Sequence, residues 1–318
     1  MAKNITSVKT IIMSNGLKIP VLGLGTSGVP HDKIDRAVGT ALMAGYREFD
    51  CAYYYGNEGR VGKALTKSMK ELGIDREELF ITSKVWFTHL HPDMVEKSCR
   101  QSLKDLQLKY LDLLLVHWPV AFKPCDTGFR IQDSITKYTV DSIPLTDTWK
   151  AMEKLVDDGL VKSIGLSNFN KRQLDEILEH ARIKPVNLQI EMHANFPNTK
   201  MAEYAQSKGL VVTAYSPLSS MAKFQEKGNA LTESWVQRIA EAHNKTPAQI
   251  LLRYLVQRGV TVIPKSQTPE RIVQNAQIFD FNLTDDEMHT LNTSGTNERK
   301  FTLPGSECHP NYPFHDDY

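Results

Sequence analysis

Four residues in the N-terminal part of the chain have the types needed to protonate an oxygen atom. Asp50 and Tyr55 are five positions apart in the stretch from Gly45 to Glu58, and Lys84 and His117 follow. A phenol has a reference pKa of about 10, so it becomes a useful acid only when neighbouring charges favour the phenolate. A buried Lys84 beside Asp50 would form an ion pair, and next to Tyr55 it would lower the pKa of the phenol. His117 can donate to a substrate oxygen and orient it.

Such an acid supplies half of a carbonyl reduction, and the hydride has to come from a cofactor. The last predicted strand leads into a segment with the features of a phosphate site. Thr268 and Pro269 are predicted as the N-cap and first residue of a helix, so backbone N–H groups face the preceding loop. Lys265 and Arg271 add positive charge there. This combination favours a bound phosphate monoester.

Other side chains suit the nicotinamide end of such a cofactor. Tyr215 follows a predicted strand, and its flat ring can stack on a nicotinamide. Gln189, Ser167 and Asn168 also lie at strand ends and can hold the carboxamide. These residues predict a dinucleotide that lies across the ends of several strands.

The elements that must position these residues alternate between strands and helices. Eight short apolar runs are predicted as strands, namely 21–24, 46–49, 79–82, 111–116, 161–166, 187–190, 210–214 and 260–263. The stretches between them have helical spacing, as at Ile34, Ala37, Val38 and Ala41, and Thr246-Pro247-Ala248-Gln249 is a capping box. Eight alternations without a break in composition predict a closed (β/α)₈ TIM barrel rather than an open doubly wound sheet.

A hairpin and several irregular segments complete the expected architecture. Asn15-Gly16 between two extended runs predicts an N-terminal β-hairpin. The segments 120–142 and 219–232 are longer than a connection needs, and the tail from residue 292 is rich in Pro without periodicity. Long irregular segments after strand ends usually cover a site. We therefore expect a single domain over residues 1–318, with long loops and an irregular tail at one face.

The ends of the predicted strands support a site at that face. In a barrel, the carboxyl ends of the strands meet at one mouth, where catalytic residues lie. Nearly every apolar run ends in polar groups, which are Asp50, Ser83-Lys84, His117-Trp118, Ser167-Asn168, Gln189 and Glu191, Tyr215-Ser216 and Lys265-Ser266. A barrel with a purely structural role would not need this pattern.

Composition excludes several other classes of protein. Lys and Arg number 38 against 37 Asp and Glu, which gives no reason to expect nucleic acid or a membrane surface as partner. The most apolar run, Leu111–Pro119, contains Asp112 and His117, so we expect no membrane span. The N-terminus lacks the apolar stretch of a signal peptide. Four scattered cysteines predict a cytoplasmic protein, and we expect a monomer, with a weak dimer as the alternative.

Five short motifs lie around these strand ends. They are Gly45–Ala52 with Glu58 and Gly62, Thr82–Trp86, Leu115–Pro119, Ile164–Phe169 and Ile263–Ser266, and Tyr312–His315 closes the chain. In this order they resemble the aldo-keto reductase family, nearest to the aldose reductase and aldehyde reductase group. The resemblance runs from the hairpin to the tail. His117 is kept, where a steroid double-bond reductase would have Glu.

The resemblance implies NADPH-dependent reduction of aldehydes and some ketones, with broad specificity. It implies a catalytic tetrad of Asp50, Tyr55, Lys84 and His117, with Tyr55 rather than Tyr53 or Tyr54 as the acid. The implied cofactor residues are Thr26, Asp50, Ser167, Asn168, Gln189, Tyr215, Ser216, Leu218, Lys265, Ser266, Thr268, Arg271, Gln274 and Asn275. The predicted substrate pocket comprises Ser27, Tyr54, Trp86, His117, Trp118, Phe301 and Leu303. Ser27 stands where aldose reductases commonly have a Trp, and Glu48 is an unusual residue within its motif.

Alternatives remain at three points. Gly23 and Gly25 with Gly28 lack the spacing of a dinucleotide loop, and a tight turn is the better interpretation. His89-x-His91 with His117 could suggest zinc, but solvated histidines are far more common, and we predict no metal. A barrel with this sequence could also bind NADPH in a regulatory or structural role, as a lens protein does, with little turnover.

Overall fold

A computed structural model describes residues 8–123, 138–219, 229–316 and 318. The described chain begins with two antiparallel strands, β1 (Thr10–Ile12) and β2 (Lys18–Pro20). Gly16 has a φ of +84° in the turn between them, a conformation that favours glycine. The predicted hairpin is therefore confirmed.

Eight parallel strands then form a closed barrel. They are β3 (Gly23–Gly25), β4 (Glu48–Asp50), β5 (Phe80–Val85), β6 (Leu113–Val116), β7 (Ile164–Ser167), β8 (Asn187–Glu191), β9 (Val211–Tyr215) and β10 (Thr261–Val262). Each strand pairs with the next along the chain. The first and last strands also meet, because Leu22 bridges Val262 and Gly25 bridges Lys265. The predicted (β/α)₈ barrel is confirmed.

The observed strands extend farther toward the mouth than the apolar runs predicted. The prediction ended β4 at Phe49 and β5 at Thr82, whereas Asp50 and Lys84 lie within these strands. Ser167 and Tyr215 likewise belong to β7 and β9. These polar residues remain part of the strands because their side chains form hydrogen bonds or ion pairs inside the barrel mouth. Hydropathy alone does not reveal such partners.

Helices cover the outside of the barrel. They are α1 (His31–Met43), α2 (Glu58–Leu72), α3 (Pro92–Leu106), α4 (Leu145–Asp157), α5 (Lys171–His180), α6 (Thr199–Ser207), α7 (Ser234–Ala242), α8 (Pro247–Gln257), α9 (Pro269–Asn275) and α10 (Asp285–Thr293). The predicted capping box of α8 is present. The Thr246 hydroxyl accepts from the Gln249 N–H at 3.3 Å, and the Gln249 side chain accepts from the Thr246 N–H at 2.9 Å.

The hairpin covers the end of the barrel where the strands begin. Met13 and Ile19 are buried against Phe80, Leu113 and Val211, the first residues of β5, β6 and β9. Burying these side chains removes apolar surface from water at that end. The opposite end, where the strands finish, is left to the loops and the tail.

The irregular segments predicted at the mouth are only partly described. Within 120–142, Phe122 forms an antiparallel bridge with Val140, and the interval 124–137 lies outside the described residues. Within 219–232, a 3-10 turn spans Ala230–Thr232, and 220–228 lie outside the description. Within the described residues of the tail after α10, the chain is irregular apart from one 3-10 turn at Pro313–His315. No described helix is long and apolar enough to cross a membrane.

Candidate active site

The centre of the barrel mouth holds a buried ion pair with a phenol beside it. Lys84, from β5, places its Nζ 2.6 Å from Oδ1 of Asp50 on the neighbouring strand β4. The same Nζ lies 2.9 Å from the Cys51 carbonyl and 3.2 Å from the Tyr55 hydroxyl oxygen. Lys84 and Asp50 are 1% and 2% exposed, so each charge depends on the other. Three residues predicted to act together are therefore in contact.

Further hydrogen bonds fix Asp50 from several sides. Gln189, from β8 across the barrel, donates its side-chain amide to Oδ2 of Asp50 at 2.8 Å. Thr26 donates its hydroxyl to the Asp50 carbonyl at 2.8 Å, and Asn57 donates to the Thr26 carbonyl at 2.9 Å. The carboxylate thus has partners on both oxygens, which holds the Lys84 ammonium in one position.

The pKa shifts of Lys84 and Tyr55 show which of the two carries the charge and which carries the acidic proton. Burial alone would lower the pKa of Lys84, but Asp50 and Tyr55 more than compensate and the net pKa is raised, so the ammonium persists. Burial raises the pKa of Tyr55 to about 12, and Lys84 only partly opposes it. Lys84 does lower the pKa of Tyr55, as predicted, but burial outweighs it because the phenol loses more solvation than its cation restores. Tyr55 remains protonated over the physiological range.

His117 follows β6 at the same mouth. Its ring centroid lies 5.9 Å from that of Tyr55, edge-on. Burial and then the Lys84 charge lower the pKa of His117 well below its usual value, so the imidazole is neutral. Asn168 donates to the His117 carbonyl at 2.9 Å. Among the described residues, nothing hydrogen-bonds the buried Nδ1 of His117.

An aromatic wall borders His117. Tyr54 stacks on Trp86 with a centroid distance of 3.8 Å and an angle of 14°, and Trp86 lies 5.0 Å from the His117 ring. Trp118 belongs to the same cluster, and Leu303 of the tail packs against it. Four predicted pocket residues thus share one apolar surface. Ser27 is exposed in the loop between β3 and α1, and its part in the pocket stays a prediction.

The residues predicted for the nicotinamide end lie next to one another. The Tyr215 hydroxyl donates to Oδ1 of Asn168 at 2.8 Å, and the Asn168 amide donates to Oγ of Ser167 at 3.2 Å. Asn168 has a φ of +62°, which asparagine tolerates better than most residues. Ser167, Asn168 and Tyr215, together with Gln189, form a polar strip from β7 to β9. Gln189 also contacts Asp50.

The predicted phosphate segment lies where β10 leads into α9. Lys265 and Arg271 are exposed, and neither forms an ion pair with another described residue. Thr268 occupies the N-cap of α9, as predicted, but its side chain makes no capping hydrogen bond. Instead the Ser266 hydroxyl accepts from the Thr268 N–H at 3.2 Å. Two cations that no described carboxylate pairs with, lying beside a helix start, suit the negative charge of a phosphate.

The remaining predicted cofactor residues frame this region. Asn275 is buried at the end of α9, while the Gln274 side chain is exposed. Ser216 follows β9 with a φ of +51°, and Leu218 packs against the core. The types of these side chains suit a dinucleotide, and their roles as its ligands stay a prediction.

Two buried carboxylates have roles that the sequence did not reveal. Glu58 accepts from the hydroxyls of Ser83 at 2.6 Å and Ser102 at 2.8 Å, which ties α2 to β5 and α3. Glu191, at the end of β8, accepts two backbone N–H groups of the tail. The sequence showed a carboxylate at the end of this strand, but its partners in the tail are more than a hundred residues away and leave no local signal.

The two histidines of the zinc alternative have other neighbours. The His89 ring lies 4.8 Å from that of Tyr53, and His91 accepts from the Asp93 N–H at 3.4 Å. Within residues 8–123, 138–219, 229–316 and 318, no group of three or more His, Cys, Asp or Glu side chains could hold a metal ion.

Comparison with known proteins extends this description. The model of the Aldo/keto reductase family matches residues 21–295. Aldo-keto reductase family 1 member A1 of Gallus gallus is 46% identical over 322 residues, covering 97% of this chain and 98% of that protein. The Rattus norvegicus protein of the same name is 44% identical over 98% of this chain and its own full length. The solved aldose reductase of Schistosoma japonicum is 52% identical with a TM-score of 0.89, covering 98% of this chain and 100% of its own.

These matches span nearly the whole chain and agree with the barrel and its mouth. The chain belongs to the aldo-keto reductase family and is an oxidoreductase that acts on carbonyl groups with a nicotinamide cofactor.

Proposed function

We propose that this protein reduces aldehydes, and some ketones, to alcohols with NADPH, and that Tyr55 is the proton donor. The observation that carries the proposal is the position of the Lys84 ammonium, which contacts both Asp50 at 2.6 Å and Tyr55 at 3.2 Å. This arrangement couples a paired, buried cation to a protonated phenol at the mouth of the barrel. It is the arrangement that a developing alkoxide requires of its acid.

Each member of the tetrad has a distinct part. NADPH, when bound, supplies the hydride. Tyr55 gives its hydroxyl proton to the substrate oxygen, and the Lys84 ammonium stabilises the phenolate that remains. Asp50 keeps Lys84 charged in a buried site. The neutral His117 donates a hydrogen bond that orients the carbonyl, since its low pKa leaves one ring N–H.

The cofactor would be held at two ends. Tyr215 would pack on the nicotinamide, with Ser167, Asn168 and Gln189 at its carboxamide. Lys265 and Arg271 would bind the 2′-phosphate that distinguishes NADPH from NADH, since both are exposed without an ion-pair partner among described residues. Thr26, Ser216, Leu218, Ser266, Thr268, Gln274 and Asn275 would complete the site.

The substrate end favours apolar aldehydes of varied shape. The wall of Tyr54, Trp86 and Trp118 is aromatic, and burial of apolar substrate surface contributes about 25 cal/mol per Å². A sugar would leave hydroxyls unpaired against this wall. Broad aldehyde specificity follows, with the tail residues Phe301 and Leu303 at the rim.

One assay separates this function from a regulatory or structural barrel. NADPH oxidation is followed at saturating cofactor with a reactive aromatic aldehyde, for the wild type and for Tyr55→Phe. Steady turnover that the variant loses supports the proposal. Tight NADPH binding with no turnover in the wild type would favour the non-catalytic role. A monomer in the cytoplasm remains part of the proposal, and sedimentation tests the oligomeric state.

A further inference from the structure

Glu191 holds the tail of the chain through two backbone hydrogen bonds. It is the last residue of β8 and is fully buried. Oε1 accepts from the Lys300 N–H at 2.8 Å, and Oε2 accepts from the Phe301 N–H at 2.9 Å. The Nε2 of His193, also fully buried, lies 2.9 Å from Oε1. Both oxygens of one carboxylate thus bind adjacent residues of the tail.

The tail runs close beside the loop that follows β8. The Glu298 N–H donates to the Asn195 carbonyl at 3.1 Å. Gly295 approaches so closely that a Cβ there would lie 2.2 Å from the Ala194 carbonyl oxygen. The Arg299 guanidinium lies 4.5 Å from the centroid of the Phe196 ring. These contacts bring the tail to Glu191 in one register, so the carboxylate meets the N–H groups of residues 300 and 301.

The residues fixed in this way border the proposed substrate pocket. The Phe301 ring meets Tyr215 edge-on at 5.4 Å, and Tyr215 is the proposed nicotinamide partner. Two positions later, Leu303 has a φ of +53° and packs against the cluster of Trp86 and Trp118. The position of the tail at Phe301 therefore sets where the rim of the proposed pocket lies relative to Tyr215.

The attachment of the tail to Glu191 is strong, and it requires a carboxylate at this position. Hydrogen bonds to an ionised acceptor are about twice as strong as those between neutral groups. A buried carboxylate without donors is costly, so Glu191 favours the tail conformation that supplies them. Because the donors are backbone N–H groups, the attachment does not depend on which side chains the tail carries.

We propose that Glu191 is a positioning residue that sets substrate selectivity by holding Phe301 and Leu303 at the rim of the pocket. The inference rests on the proposed carbonyl reduction. Glu191 acts through the tail and does not touch the reacting atoms. Its loss should therefore weaken binding of substrates long enough to reach the rim and spare those that occupy only the inner pocket.

Glu191→Gln tests the inference, because the amide keeps the size but places an NH₂ donor against a backbone N–H. With NADPH saturating, we expect KM for a two-ring aromatic aldehyde to rise about tenfold, the loss of about one charge-assisted hydrogen bond. kcat and KM for propanal, and the Kd of NADPH, should change less than about twofold. Glu298→Gln, which removes an exposed carboxylate from the same tail, is the matched control and should leave all these constants near wild type.

A second comparison applies even if Glu191→Gln folds poorly. Phe301→Pro removes the N–H that meets Oε2, whereas Phe301→Ala removes only the ring. The inference requires KM for the two-ring aldehyde to be several-fold higher in the Pro variant than in the Ala variant. Equal KM values, or an equal effect of Glu191→Gln on propanal and the two-ring aldehyde, would overturn it. Absence of aldehyde turnover in the wild type would instead count against the proposed function.

Discussion

The Lys84 ammonium lies 2.6 Å from the Asp50 carboxylate and 3.2 Å from the Tyr55 hydroxyl, so one cation contacts both an anion and an acid. The ion pair offsets the cost of burying the Lys84 charge. The contact with Tyr55 allows that charge to stabilise the phenolate. Burial holds the pKa of Tyr55 at about 12, so the proton stays on the phenol until an oxygen with developing negative charge lies beside it.

Tyr55→Phe tests the assignment of the acid. The variant removes the hydroxyl proton and keeps the ring, so turnover with an aromatic aldehyde should fall by roughly 10² or more while NADPH affinity changes little. Tyr53→Phe is the matched control, because the Tyr53 ring packs on His89 outside the ion pair. Near-normal turnover of Tyr55→Phe, together with loss in Tyr53→Phe or Tyr54→Phe, would show that the tetrad is wrongly assigned.

Lys265→Met tests the preference for NADPH. Loss of one charge-assisted contact to a 2′-phosphate costs about 1.5–3 kcal/mol, so NADPH binding should weaken about tenfold to a hundredfold. NADH, which lacks that phosphate, should bind almost as before. Fluorescence titration measures both, and Lys150→Met, on an exposed lysine of α4, controls for the loss of charge. An equal loss for the two cofactors would rule out the 2′-phosphate role.

Glu58→Gln should change how stability depends on pH. Burial raises the pKa of Glu58 from 4.5 to about 7, with the Ser83 and Ser102 hydrogen bonds opposing. The folded state therefore favours the protonated acid. The raised pKa of Glu58 therefore contributes about 3 kcal/mol to the free energy of unfolding. This contribution is fully present below about pH 4.5 and is lost as pH rises to about 7.

Urea unfolding of the wild type and of Glu58→Gln at several pH values isolates this contribution. Between pH 4.5 and 7, the wild type should lose unfolding free energy relative to the variant. Above pH 7, the difference between the two proteins should stay constant. Glu71→Gln changes an exposed carboxylate of the same helix. Its unfolding free energy should vary with pH in the same way as that of the wild type. A difference that does not vary with pH would mean that folding leaves the pKa of Glu58 unchanged.

The barrel could be predicted from sequence because its signal is repeated and local. Eight apolar runs alternate with helical spacing, and each run ends in polar residues, so Asp50, Lys84 and His117 could be placed at one mouth. The ends of β4 and β5 were predicted too early because polar side chains inside a barrel mouth interrupt the apolar pattern. The direction of the Tyr55 pKa depends on how much solvation the phenol loses, and sequence does not give that quantity.

Contacts between distant segments were the other part that the sequence did not reveal. Glu191 and Lys300 are 109 positions apart, and the donors are backbone groups that every residue except proline possesses. No pattern of residue types can mark such a pair. The rim residues Phe301 and Leu303 were predicted from their place in an irregular tail, but what fixes that tail becomes visible only in the fold.

The tail itself can be exchanged to test where specificity lies. A chimera that takes residues 297–309 from another member of the family should change the ranking of aldehydes, because Phe301 and Leu303 border the pocket. For the wild type, we expect a higher kcat/KM with an aromatic aldehyde than with glucose or xylose. Since Glu191 binds backbone N–H groups, a donor tail without proline at positions 300 and 301 should still be held.

One side chain of the tail must be kept in that exchange. The Lys300 Nζ donates to the Ser219 hydroxyl at 2.9 Å and to its carbonyl at 3.2 Å, which joins the tail to the segment after β9. With Lys300 retained, the chimera should bind NADPH as the wild type does, while its ranking of aromatic aldehydes against sugars shifts by severalfold. Lys300→Met alone controls for this contact. If the chimera altered NADPH affinity and left the ranking unchanged, the tail would belong to the cofactor site, because only a wall that touches substrate can discriminate between aldehydes.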